Sequence, residues 1–78
     1  MSERLPIIKA RELIRALEKA GFQLVHQKGS HATYKHPVTQ KRATIPIHPG
    51  KDLKRGLVRG ILNDLGWTPE EFLKLLRS

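Results

Sequence analysis

The 78-residue chain has no cysteine, only seven acidic residues and no run of apolar residues longer than three. The lack of cysteine excludes a disulfide scaffold, a cysteine-ligated zinc or iron–sulfur site and thiol catalysis. The short apolar runs predict neither a membrane span nor the apolar segment of a secretion signal. We therefore expect residues 1–78 to form one small cytoplasmic domain with no membrane partner.

Positive charge is what the sequence has in excess. Fifteen Lys and Arg residues against seven Asp and Glu residues give a formal charge of +8. Segment 28–59 holds eight of these basic residues, and Asp52 is its single acidic residue. All four histidines lie in this segment or just before it. A charge balance of this kind indicates a polyanionic partner, and its concentration in one segment predicts a defined binding surface.

The spacing of apolar residues predicts the element order α-β-β-β-α-α. The predicted helices cover 9–20, 53–65 and the residues after 68, and the predicted strands cover 22–27, 31–36 and 42–47. Asp52 is the predicted N-cap of the second helix. The run Thr68-Pro69-Glu70-Glu71 predicts the start of the third helix, since it matches a capping box with proline in the first turn.

This order predicts an α+β fold, a three-stranded antiparallel meander with its helices on one face. Alternation in the second and third strands assigns their side chains to two faces. The predicted helix-facing residues are Ala32, Tyr34, Ala43 and Ile45. The predicted residues of the other face are His31, Thr33, Lys35, Arg42 and Thr44. A basic, histidine-bearing sheet face is typical of a nucleic-acid surface.

The absence of carboxylates from residues 19–51 limits the chemistry available to such a surface. A two-metal nuclease needs clustered Asp or Glu, so we predict no metal site and no cofactor. A metal-free ribonuclease needs a base that titrates near neutrality, which is the property of histidine. His26 and His36 lie on the opposite strand parity from His31 or beyond a turn, and a structural role is expected for both.

Several motifs together resemble the HicA toxin family. They are Gln27-Lys28-Gly29-Ser30-His31, Tyr34-Lys35-His36-Pro37, Ala43-Thr44-Ile45-Pro46 and the run from Gly56 to Leu62 with Leu65-Gly66. The resemblance covers roughly residues 9–66. It implies a double-stranded-RNA-binding-domain-like fold, cleavage of mRNA by a small ribonuclease, and neutralisation by a HicB-type antitoxin.

The resemblance assigns the role of one residue, and the roles of the others are inferred from the sequence itself. The family's catalytic histidine falls on His31, and His48 is a candidate accessory acid because it follows the third strand. The predicted RNA-binding residues are Lys28, Gly29, Ser30, Thr33, Lys35, Arg42, Lys54 and Arg59. Two other functions fit the same sequence: an RNA-binding module without catalysis, and an interaction protein whose basic face binds an acidic partner.

Overall fold

The computed structural model describes residues 5–78, which form an α+β fold consistent with the double-stranded-RNA-binding-domain type. The strands are β1 (Ile8–Lys9), β2 (Gln23–Lys28), β3 (His31–Lys35), β4 (Arg42–Pro46) and β5 (Asp52–Leu53). The helices are α1 (Ala10–Lys19), α2 (Arg55–Leu65) and α3 (Pro69–Arg77). No helix among residues 5–78 is long and apolar enough to cross a membrane.

The main sheet has the strand order β2-β3-β4, and both pairings are antiparallel. A two-residue turn, Gly29-Ser30, joins β2 to β3. Gly29 has a φ of +57°, the backbone conformation that the first residue of a type II′ hairpin turn requires. The tight turn fixes the register of the hairpin, with Lys28 directly opposite His31.

The helices cover one face of this sheet, as the alternation predicts. Ala32 and Tyr34 of β3 and Ala43 and Ile45 of β4 are all buried. The apolar stripes of the helices complete the core with Leu13, Ala16, Leu17, Val58, Ile61, Leu62, Leu65 and Phe72. Burial of these side chains is the main source of stability in a domain of this size.

The start of the second helix differs from the prediction. Asp52 is not its N-cap, because residues 52–53 form β5 and pair with β1. The Asp52 carboxylate accepts a hydrogen bond from the Lys9 ammonium at 3.0 Å, and this contact holds Asp52 in the extended segment. Lys54 therefore precedes α2, and the helix begins at Arg55.

The third helix begins at the predicted capping box. The Thr68 hydroxyl accepts a hydrogen bond from the Glu71 backbone N–H at 3.1 Å, and the Glu71 carboxylate accepts one from the Thr68 N–H at 3.0 Å. The backbone hydrogen bond from Thr68 is the main cause that lowers the pKa of Glu71 below its usual value. Phe72, one turn on, is fully buried and attaches α3 to the core.

We expect Gly60→Ala to raise the free energy of unfolding. Gly60 lies inside α2, where glycine costs about 1 kcal/mol relative to alanine, and a Cβ atom there would meet nothing within 4 Å. Urea denaturation monitored by circular dichroism measures the change. Gly66→Ala is the matched control and should lower stability, because Gly66 has a φ of +74°. A loss of stability in Gly60→Ala would contradict this account of α2.

Candidate functional site

His31 begins β3 immediately after the hairpin turn and is exposed. Lys28 lies directly opposite it on β2, and Pro46 lies directly opposite it on β4. The Ile47 backbone N–H donates a hydrogen bond to the carbonyl of Ser30, the residue before His31. The backbone around His31 is therefore paired on both sides, which fixes the point on the sheet from which the imidazole extends.

The sheet surface that the helices leave uncovered is called the open face below. In β3 and β4 it carries three cross-strand pairs: His31–Pro46, Thr33–Thr44 and Lys35–Arg42. The hydroxyl oxygens of Thr33 and Thr44 lie 3.0 Å apart, within hydrogen-bond distance. The five residues predicted for this face lie on it, because strict alternation holds along both strands.

Within residues 5–78, no carboxylate lies within ion-pair distance of the cations of the open face. Among residues 5–78, the single ion pair is Lys9–Asp52, which lies at β1 and β5. The only acidic residue of the basic segment is therefore already paired with Lys9. Lys28, Lys35 and Arg42 consequently give the open face a positive potential that attracts anions.

Two other basic residues of the segment are used to stabilise the fold. The Lys41 ammonium donates to the carbonyl of Leu65 at 2.8 Å, where it satisfies the last turn of α2. The Arg55 Nε donates to the carbonyl of Leu5 at 2.8 Å. The charge available for binding is therefore smaller than the residue count of the segment suggests.

His26 does not lie where the sequence predicts. The register of β2 against β3 shifts between Leu24 and His26, so that Val25 is an extra residue in β2. This β-bulge places His26 directly opposite Thr33, and His26 therefore shares the open face with His31. Regular alternation assigns His26 to the other face. The adjacent apolar residues Leu24 and Val25 were the one sequence sign that the alternation breaks here.

His36 makes contacts that stabilise the loop after β3. Its Nδ1 atom accepts hydrogen bonds from the backbone N–H groups of Val38 and Thr39 at 3.1 and 3.2 Å. The rings of His36 and Phe22 pack edge to face, with 5.2 Å between their centres. These contacts account for His36 without a role in binding.

The remaining candidates lie outside the open face. His48 lies in the loop after β4 and lines a cavity of about 360 Å³ together with Lys9 and Arg11. Lys54 and Arg59 are exposed residues at the start and in the first half of α2. Among residues 5–78, no group of three or more His, Asp or Glu side chains is arranged to hold a metal ion.

Tyr34 belongs to the core and does not offer its ring to a ligand on the open face. Its side chain is buried on the helix-facing side of β3. Burial raises the pKa of the Tyr34 hydroxyl, and the negative charge of Glu18 adds to the effect. The open face therefore gains no aromatic ring from Tyr34.

We expect the histidines to separate into two groups by their effect on stability. His36→Ala should lower the free energy of unfolding by about 1–3 kcal/mol, because it removes two hydrogen bonds and the ring contact with Phe22. His26→Ala and His31→Ala remove exposed side chains and should change it by less than about 0.5 kcal/mol. Thermal and urea unfolding of the three variants test this. Equal losses in all three would contradict the assignment.

Comparison with known proteins agrees with this arrangement. A family model described as the HicA toxin of bacterial toxin–antitoxin matches residues 10–67, from the first residue of α1 to the residue after Gly66. The matched region contains β2, β3 and β4 and therefore the whole open face. No curated protein matches the chain. Because the family model covers well over half of the sequence, the chain belongs to the HicA toxin family of bacterial toxin–antitoxin systems.

Proposed function

We propose that this toxin is a metal-independent endoribonuclease that cleaves mRNA with His31 as general base. The observation that carries the proposal is the position of His31: exposed, fixed between two strands, and directly opposite Lys28 on a face with no carboxylate. An imidazole beside an uncompensated ammonium group is suited to deprotonate a hydroxyl next to a bound phosphate.

The reaction uses a nucleophile that RNA itself supplies. Neutral His31 accepts the proton of a ribose 2′-OH, and the 2′ oxygen attacks the adjacent phosphorus. The P–O5′ bond breaks, which leaves a 2′,3′-cyclic phosphate on one product and a 5′-OH on the other. DNA lacks the 2′-OH and is not cleaved by this route.

The neighbouring residues bind and polarise the phosphate. Lys28 stabilises the negative charge that builds up on the non-bridging oxygens in the transition state. Gly29 and Ser30 form the turn beside His31, and Thr33, Lys35 and Arg42 extend the contact along the open face. Lys54 and Arg59 offer further phosphate contacts from α2. His48 is a candidate for the proton donor, because it lies two residues beyond Pro46, which pairs with His31.

Control of this activity falls to a partner protein. Membership of a toxin–antitoxin family implies an antitoxin. We propose a HicB-type antitoxin that neutralises the toxin in the cytoplasm. An acidic surface on that partner would find its complement in Lys28, Lys35 and Arg42, and would block access of RNA to His31.

We expect His31→Ala to abolish RNA cleavage while leaving the fold intact. The test incubates purified wild type and variant with a long single-stranded RNA in EDTA and separates the products on a denaturing gel. Cleavage by wild type alone supports a metal-free ribonuclease that depends on His31.

The same experiment separates the alternatives. Cleavage by both proteins would contradict the role of His31. If neither protein cuts, but both bind RNA in a salt-dependent way, the chain is an RNA-binding module without catalysis. A 2′-deoxy substitution at the mapped cut should protect the RNA from wild type, because it removes the nucleophile.

We expect Lys35→Ala to weaken RNA binding and to reduce its salt dependence. Loss of one phosphate contact should lower the slope of log K against log salt by about 1. Binding is measured in the His31→Ala background, so that the RNA stays intact. Arg15→Ala is the matched control, because Arg15 is an equally charged, exposed residue of α1, outside the strands of the open face. Equal slopes for the two variants would contradict RNA binding at the open face.

A further inference from the structure

The bulge in β2 brings a second histidine to the face that carries His31. Along this face the pairs His26–Thr33 and Lys28–His31 are adjacent, since a single residue lies between them on each strand. His26 and His31 therefore lie on a diagonal, with Lys28 beside both of them. Diagonal neighbours on an antiparallel pair are separated by about 7–8 Å. Two imidazoles and one ammonium group thus belong to neighbouring positions on one face of the sheet.

The spacing suits the stereochemistry of phosphodiester cleavage by a 2′-OH. The attacking and leaving oxygens lie on opposite sides of the phosphorus, so that the group that removes a proton and the group that donates one must flank the phosphate. Side chains directly opposite each other, about 5 Å apart, leave little room for a phosphate between them. A diagonal pair leaves that room, and Lys28 then reaches the phosphate oxygens.

The surroundings of His26 leave its imidazole free to act. His26 is exposed, and β2 is an edge strand, so that within residues 5–78 β3 is the one strand that pairs with it. Directly opposite, the Thr33 hydroxyl lies 3.0 Å from that of Thr44 and within hydrogen-bond distance of it. His48, by contrast, lies beyond the end of β4, at the cavity it shares with Lys9 and Arg11. His26 is thus the histidine that regular strand pairing holds beside His31.

We propose that His26 is the general acid of the cleavage reaction. As the P–O5′ bond breaks, the His26 imidazolium gives its proton to the 5′ oxygen, while neutral His31 takes the proton of the 2′-OH. One proton is gained and one is lost by the protein, and exchange with water restores both histidines. The inference rests on the proposed ribonuclease function and names the proton donor of the same site.

A substrate with sulfur in place of the bridging 5′ oxygen tests this role directly. A thiolate leaves without protonation, so that a missing acid no longer slows the reaction. We expect His26→Ala to cut the normal RNA about 100-fold more slowly than wild type, within the range typical of a lost acid or base. The same variant should cut the sulfur substrate within about threefold of wild type. His26→Gln, which keeps a polar side chain, should behave in the same way.

Two further variants sharpen the comparison. His31→Ala should lose activity on both substrates, because the 2′-OH still requires a base. Gln27→Ala should leave both rates unchanged, since Gln27 is an exposed residue of the same strand that pairs with Ala32 and lies on the other face.

Each remaining outcome overturns the proposal. Equal losses of His26→Ala on both substrates would assign His26 to binding, and full activity on the normal RNA would remove it from the reaction. If His48→Ala, and not His26→Ala, slows cleavage of the normal RNA while leaving cleavage of the sulfur substrate unchanged, His48 is the acid. If the wild type cuts neither substrate, the ribonuclease proposal itself fails. That result is distinguishable from a failure of the His26 proposal, because it is seen with the wild type alone.

Discussion

The structure depends on one constraint: the apolar side chains of β3 and β4 must be buried beneath the helices. Ala32, Tyr34 and Ile45 are buried against α1 and α2, and each large apolar side chain removed from water contributes about 1.5–3 kcal/mol. Because side chains alternate along a strand, the same burial directs His31, Lys35 and Arg42 outward. A shift of one residue in the strand register would turn the apolar side chains toward solvent. It would also bury Lys35 and Arg42 without ion-pair partners. The composition of the candidate site is therefore a consequence of how the core is packed.

The basic segment serves two purposes, and the structure separates them. Lys41 and Arg55 donate hydrogen bonds to the backbone carbonyls of Leu65 and Leu5 and so stabilise the fold. Lys9, from outside the segment, forms an ion pair with Asp52, the single acidic residue of the segment. Among residues 5–78, the cations of the open face form no ion pair. The positive potential of that face thus comes from Lys28, Lys35 and Arg42, which are left after the fold has used other basic residues of the segment.

The histidines likewise separate into one that stabilises the fold and two that are exposed on the open face. His36 accepts two backbone hydrogen bonds and packs against Phe22, so that its contacts serve the loop. His26 and His31 lie in regular strands, exposed and on one face. In a domain of this size, few side chains are available to hold the residues of a site in position through additional contacts. Strand pairing performs that task here, because it fixes the positions of exposed residues through the backbone alone.

Local periodicity predicts the order of the three helices and of β2, β3 and β4, the helix-facing residues of β3 and β4, and the exposure of His31, but it does not predict the short strands β1 and β5. The capping box at Thr68 was equally readable, because a cap involves neighbouring residues only. The positions of Asp52 and His26, by contrast, depend on how strands pair in the folded protein. Asp52 lies in a strand because of a partner 43 residues away in the chain. His26 joins the open face because β2 and β3 pair with one extra residue, and a bulge is a property of two paired strands, whereas periodicity describes only one.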